Sequence, residues 1–198
     1  MRTAFLFVLL VTVGAGVAAA QPVPDPAKAA VQDKTRFDEL ETVRRTLVQR
    51  DFWTVGKYKD ATFDAAVVGT VGAPDGDRVR GMRLDIAYNS FLRMDFTIWA
   101  HDVSFVEQSE LDGFSTALRF IGDTADAWSK APTRDYYSEI TYRTFGGVGV
   151  VLIYQIKNRK PEVSVELLGG VESQSIELAD IPKVKALVDA TIELLKTK

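Results

Sequence analysis

Cysteine is absent from the 198 residues, and histidine occurs once, at His101. The first absence excludes disulfides, thiolate metal sites and cysteine nucleophiles. The second excludes a multi-histidine metal site within one chain. Neither asparagine, Asn89 or Asn158, opens an N-x-Ser/Thr acceptor, so N-glycosylation is excluded as well. The longest strongly apolar stretch, Ala4 to Val13, falls well short of the roughly twenty residues a membrane span needs. A dominant charge is missing too: 24 basic and 27 acidic side chains leave a net charge of −3. That mild acidity supports solubility and opposes a polyanion as the main partner, since phosphate binding is driven by clustered Lys and Arg.

What is present at the N-terminus has the three parts of an export signal: Arg2, the apolar run, then small residues ending at Ala18-Ala19-Ala20. Cleavage after Ala20 is the expectation, and no cysteine is available there for a lipid anchor. An exported chain without cysteine suits a bacterial envelope protein better than an animal secreted domain, so a periplasmic or extracellular location in a bacterium is expected. No transmembrane segment would remain after cleavage.

Three prolines in QPVPDP make residues 21–26 an extended linker, and residues 27–198 then read as one domain. Asp25-Pro26 has the chemistry of a helix start. Phe37, Leu40, Val43 and Leu47 recur every three or four residues, which predicts an amphipathic helix over 27–50. From Thr62 the period becomes two. Met82, Leu84, Ile86 and Tyr88 alternate with Arg83 and Asp85; Leu92, Met94, Phe96 and Ile98 alternate with Arg93, Asp95, Thr97, Trp99 and His101. These predict two half-buried strands joined by a tight turn at Asn89-Ser90, preceded by the strand TFDAAVVGTV and the turn APDGDR. The C-terminal part repeats the pattern: DYYSEITYRTF and VGVVLIYQIK meet at Gly146-Gly147, NRKP turns into EVSVELL, and SIEL leads into a last helix.

Residues 54–128 and 134–198 are therefore two consecutive strands-then-helix units, an α+β fold with antiparallel sheet. Aligned without gaps, Val106 falls on Ile176, Glu107 on Glu177, Glu110 on Asp180, Phe114 on Val184 and Leu118 on Val188. An internal duplication is one explanation; the shared demands of any amphipathic strand-to-helix transition are the other. Each helix is expected to lie across its own sheet. Two such units in tandem are similar to the arrangement in the Pur and Whirly single-strand nucleic-acid binders. That similarity implies nucleic-acid binding, which the leader and the negative charge oppose.

Chemistry-bearing residues are scattered. His101 beside Asp102 is a candidate general base, but no G-x-S-x-G accompanies it. Asp75 with Asp77, Asp123 with Asp126, and Glu107 with Glu110 lack the spacing of a calcium loop. Gly146, Gly147 and Gly149 precede a strand rather than a helix, so they read as a turn and not a phosphate cradle. KNRK, residues 157–160, reads as a solvated turn. Trp53 and Trp128 read as anchors where helices meet sheet. No metal and no cofactor are expected.

One surface combines charge with an aromatic: Arg83 and Asp85 on one strand, and Arg93, Asp95, Trp99 and His101 on the next. Cross-strand pairing explains such a face structurally; recognition explains it functionally. The expected role is a non-catalytic exported domain that binds a protein, small molecule or envelope component. The alternative is a hydrolase using carboxylates near His101.

Overall fold

The computed structural model describes residues 35–42, 46–72, 74, 78–91, 97–131, 136–158 and 160–198. The expected leader, the proline linker, the Asp25-Pro26 helix start and the Asp75-Gly76-Asp77 turn lie outside the described residues. The helix α1 (Arg36–Thr42) is followed by strands β1 (Val48–Tyr58), β2 (Ala61–Thr70), β3 (Val79–Phe91) and β4 (Thr97–Glu107), then helix α2 (Gln108–Lys130). The second series is β5 (Ser138–Arg143), β6 (Gly149–Lys157), β7 (Lys160–Leu168) and β8 (Ser173–Ile176), then a 3-10 turn at Leu178–Asp180 and helix α3 (Ile181–Leu195). Each series forms a four-stranded antiparallel meander, in the order β1-β2-β3-β4 and β5-β6-β7-β8. The expected α+β architecture with antiparallel sheet is what the chain adopts.

The N-terminal helix differs from its prediction. Phe37 and Leu40 do face the protein, but among the described residues the helix spans only Arg36–Thr42, capped where Thr35 and Asp38 bond reciprocally through side chain and main chain. Leu47 is 75% exposed, and its carbonyl accepts the Val71 amide at 2.9 Å as the chain enters β1. The stripe crosses a helix-to-strand junction. In β1 itself Trp53 and Val55 alternate inward, a period-two signal that the three-and-four spacing upstream obscures. The turn expected at Asn89-Ser90 is likewise displaced. β3 continues to Phe91, with Asn89 opposite Trp99 and Phe91 opposite Thr97, so Asn89 and Ser90 belong to the strand.

Rows of apolar side chains cross each sheet. Trp53, Ala65, Met82 and Val106 are register partners across the first, and Ile140, Leu152, Val165 and Ile176 across the second. Their helical cover departs from the expected own-sheet packing: α2 keeps its own sheet but also spans the second, and α3 crosses to the first. α2, with Leu111, Phe114, Leu118, Ile121 and Ala125 buried, lies against β3 and β4 and also against β5, β6 and β7. α3 returns to β1, β2 and β3, burying Val184, Val188 and Leu195 there. The physical reason is area. Strands of 10 to 13 residues make the first apolar face too broad for one helix, whereas the second sheet, with strands of 4 to 9, needs only α2. One core cluster consequently holds residues of both sheets and both helices.

A smaller cluster lies on the other side of the first sheet, where α1 covers Ala66, Val68 and Val79 with Phe37. Phe37 stacks on Phe105 at 4.6 Å. Gly81 makes that seat possible, since a Cβ there would lie 2.9 Å from the Phe37 ring and 2.1 Å from the Val106 carbonyl. α1 covers only one end of this face.

Two turns of the second sheet pack against β4, one on its main chain and one through a side chain. Gly146 backs onto Phe105, where a Cβ would come within 1.8 Å of the carbonyl oxygen. Asp102 accepts the Val171 and Glu172 amides at 2.8 and 2.7 Å. Asp102→Ala is expected to lower stability by about 2 kcal/mol, because charge-assisted bonds are lost and two amides lose their acceptor. Urea unfolding measures this, with Asp102→Asn falling between the two.

Candidate functional site

Alternation along β3 and β4 sends Arg83, Asp85, His101, Val103 and Phe105 to the face opposite the main core, and the register sets them side by side. Asp64 of β2 faces Arg83 across the next pair of strands. A charge ladder results. Arg83 donates to Asp64 at 2.8 Å and to Asp85 at 2.6 Å, and the other Asp85 oxygen lies 2.7 Å from Nδ1 of His101. An ionised Asp85 can only accept, so Nδ1 carries the hydrogen and Nε2 makes no bond to any described residue. The Phe52 ring lies 5.1 Å from the Arg83 guanidinium and shares the face with Phe105.

The ladder runs from dry to wet. The Asp64 side chain is 4% exposed and its Oδ1 has no hydrogen-bond partner among the described residues; Asp85 is largely covered; His101, Phe52 and Val103 are exposed. Packing and ion pairs fix the inner members, so the outer ones are held in place before anything binds. Beside them runs a cleft of about 340 Å³ along β4, lined by Thr35, Asp38, Asp102, Ser104, Gly146 and Gly170, with Val103 and Phe105 shared with the ladder face.

Comparison with family models, with curated proteins and with solved structures returned no match. The geometry of this face is what remains to be read.

Of the residues singled out in the sequence, Arg83, Asp85 and His101 are brought together. Arg93 and Asp95 lie outside the described residues, as does the side chain of Trp99, whose backbone sits in β4 opposite Asn89. Asp64 and Phe52 are additions. A lone carboxylate inside TFDAAVVGTV carries a signal, because a charge in an apolar strand requires a partner. Phe52 was missed because it falls between the predicted helix over 27–50 and the unit starting at 54, where no strand was expected.

The neighbouring candidates resolve into structure. Asp102 leaves β4 on the side opposite His101 and is occupied by the 171–172 amides, so these adjacent residues do not converge. Glu107 accepts the Arg36 amide, and Glu110 accepts those of Glu107 and Phe145, tying the start of α2 to α1 and to the β5–β6 turn. Gly147, with φ +83°, makes that turn. Asp126 pairs with Lys130 one helical turn on, and Lys157 with Glu162 across a hairpin. Trp128 packs edge-on against Tyr154, and Trp53 lies under the Lys198 ammonium.

Ser115, Asp189 and Lys185 form a line between α2 and α3, with 2.5 Å from serine to carboxylate and from ammonium to carboxylate. Burial pushes the Asp189 carboxyl up, but the bonds from Lys185 and Ser115 outweigh it and hold the group below its ordinary value. A carboxylate so stabilised is a weak base, and the trio works as a clamp between the helices. Among the described residues no group of three His, Asp or Glu is placed to hold a metal ion, and no helix is long and apolar enough to cross a membrane.

Proposed function

We propose that the chain is an exported, non-catalytic domain that binds a small polar ligand or cell-envelope component on the open end of the first sheet's outer face. The observation that carries this reading is the union of the ladder with the β4 cleft through Val103 and Phe105. Carboxylates and hydroxyls inside the cleft accept and donate hydrogen bonds, while Phe52, Val103 and Phe105 offer apolar edges. That mixture suits a ligand bearing hydroxyl or amino groups on an apolar frame, as envelope saccharides and peptide stems do. Side chains already fixed by ion pairs lose little freedom on binding. The open setting of the Asp85–His101 pair favours binding over hydrolysis, which gains most from a water-excluding site.

The test is a thermal-shift screen against sugars, peptidoglycan fragments, lipids and metal ions. A ligand bound at one hundred times its Kd stabilises the native state by about 2.7 kcal/mol, and is expected to raise the melting temperature of the wild type but not that of His101→Ala or Phe52→Ala. A shift that both variants retain moves the site elsewhere, and a screen without a hit removes the reading.

A further inference from the structure

Two sheets have four edges, and three of them carry a device that blocks pairing with another strand. β1 is broken by a bulge between Thr54 and Gly56. At β4 the Gly146 turn lies over the Phe105 carbonyl, and the 171–172 turn is fastened beside it to the Asp102 side chain. β8 is four residues long, and Lys59 occupies the Ser175 carbonyl at 3.2 Å. Among the described residues β5 has none of these. Its register with β6 is regular over six residues, it contains neither proline nor lysine, and β6 is the one described strand paired with it.

We propose that β5 pairs with β5 of a second copy, antiparallel about a two-fold axis through Thr141, joining the second sheets of both copies edge to edge. The support is self-complementarity. In that register Glu139 faces the partner's Arg143, and Arg143 faces the partner's Glu139, so both charges are met twice. Thr141 faces the partner's Thr141, a favourable cross-strand pair, and Ile140 faces the partner's Tyr142. Past the strand ends the same spacing sets Tyr137 against the partner's Phe145; these aromatics are 59% and 71% exposed. Arg143 makes no close ion pair with a described residue, and its charge already draws on Glu139 of its own strand only at a distance. Glu139 is ready to receive it, since hydrogen bonds from Thr141 and Tyr137 hold its carboxyl below the ordinary value and keep it ionised. Moving β5 by one residue against its partner would lose all these matches at once.

The test is the mass in solution. The full chain is expressed with its own N-terminus, and the form that accumulates is studied by sedimentation equilibrium across a concentration series. A dimer is expected. Glu139→Arg sets arginine against arginine twice, and Arg143→Glu sets glutamate against glutamate twice; each is expected to weaken the dimer about ten-fold. The double variant E139R/R143E restores opposite pairs and is expected to recover wild-type affinity, which general damage to the fold would not do. Should a reversal lower the melting temperature, Phe145→Ser on the exposed turn probes the same contact and is expected to weaken the dimer. A monomer at every concentration up to solubility overturns the proposal. So does a dimer that neither the reversals nor Phe145→Ser alters.

Discussion

A fragment ending at Lys130 is expected to stay unfolded in isolation, although it contains a complete four-stranded sheet and the helix that follows it. The cover for β1, β2 and β3 comes from α3, some fifty residues further on, so truncation bares Phe63, Ala65, Met82 and Leu84 on the first sheet together with the part of α2 that faces β6 and β7. Fully burying one large apolar side chain is worth about 1.5–3 kcal/mol. Whole domains are stable by only about 5–15 kcal/mol, so losing cover over several such positions consumes the margin. The complementary fragment from Tyr136 onward lacks α2 and is expected to be unfolded for the same reason. Urea titrations followed by circular dichroism should show no cooperative transition for either piece, and mixing the two should restore one. A first fragment that melts cooperatively by itself would contradict the crossed packing.

That crossing was beyond the reach of sequence periodicity. The stripe Leu111, Phe114, Leu118 and Ile121 shows that α2 buries one side, and Ile181, Val184 and Val188 show the same of α3, but a stripe does not name the sheet it meets. Strands were legible where one face is wet. β3, β4 and β7 alternate, and their pairing follows from short connections. β1 was missed because Leu47 extends the helical spacing of Phe37 and Leu40 across the boundary, although it lies outside both the helix and the strand. The aligned acids Glu107 and Glu177 also diverge in use. Glu107 bonds to the α1 main chain, whereas Glu177 pairs with Lys59. Similar local patterns serve different tertiary contacts.

The candidate site was legible in the same measure. Alternation placed Arg83, Asp85 and His101 on one face, since register in a sheet with a buried side admits no slip. It could not supply Asp64, which belongs to a strand that is apolar on both sides because α1 covers its outer face. Nor could it show that Asp102 is drawn away to hold a turn about seventy residues downstream.

Asp64 sets the second large effect. Arg83→Leu is expected to cost about 3 kcal/mol, because it leaves a nearly dry carboxylate without the one charged partner it has among the described residues, and removing half of a buried pair costs more than the pair is worth. Arg83 is about a quarter exposed, so water reaching the vacated space keeps the figure at the low end of that range. Replacing both partners, as in D64V/R83L, is expected to cost less than Arg83→Leu alone, since no charge is then left buried. Chemical denaturation of the two single variants and the double variant gives the coupling directly. The same series separates support from contact at the binding face. Arg83→Leu also releases Asp85 from its second bond and loosens His101, so any ligand found in the thermal-shift screen should bind more weakly to the double variant although most of its stability has returned. Equal costs for single and double replacement would show that Asp64 does not depend on Arg83, and the ladder would then be a row of independent surface contacts.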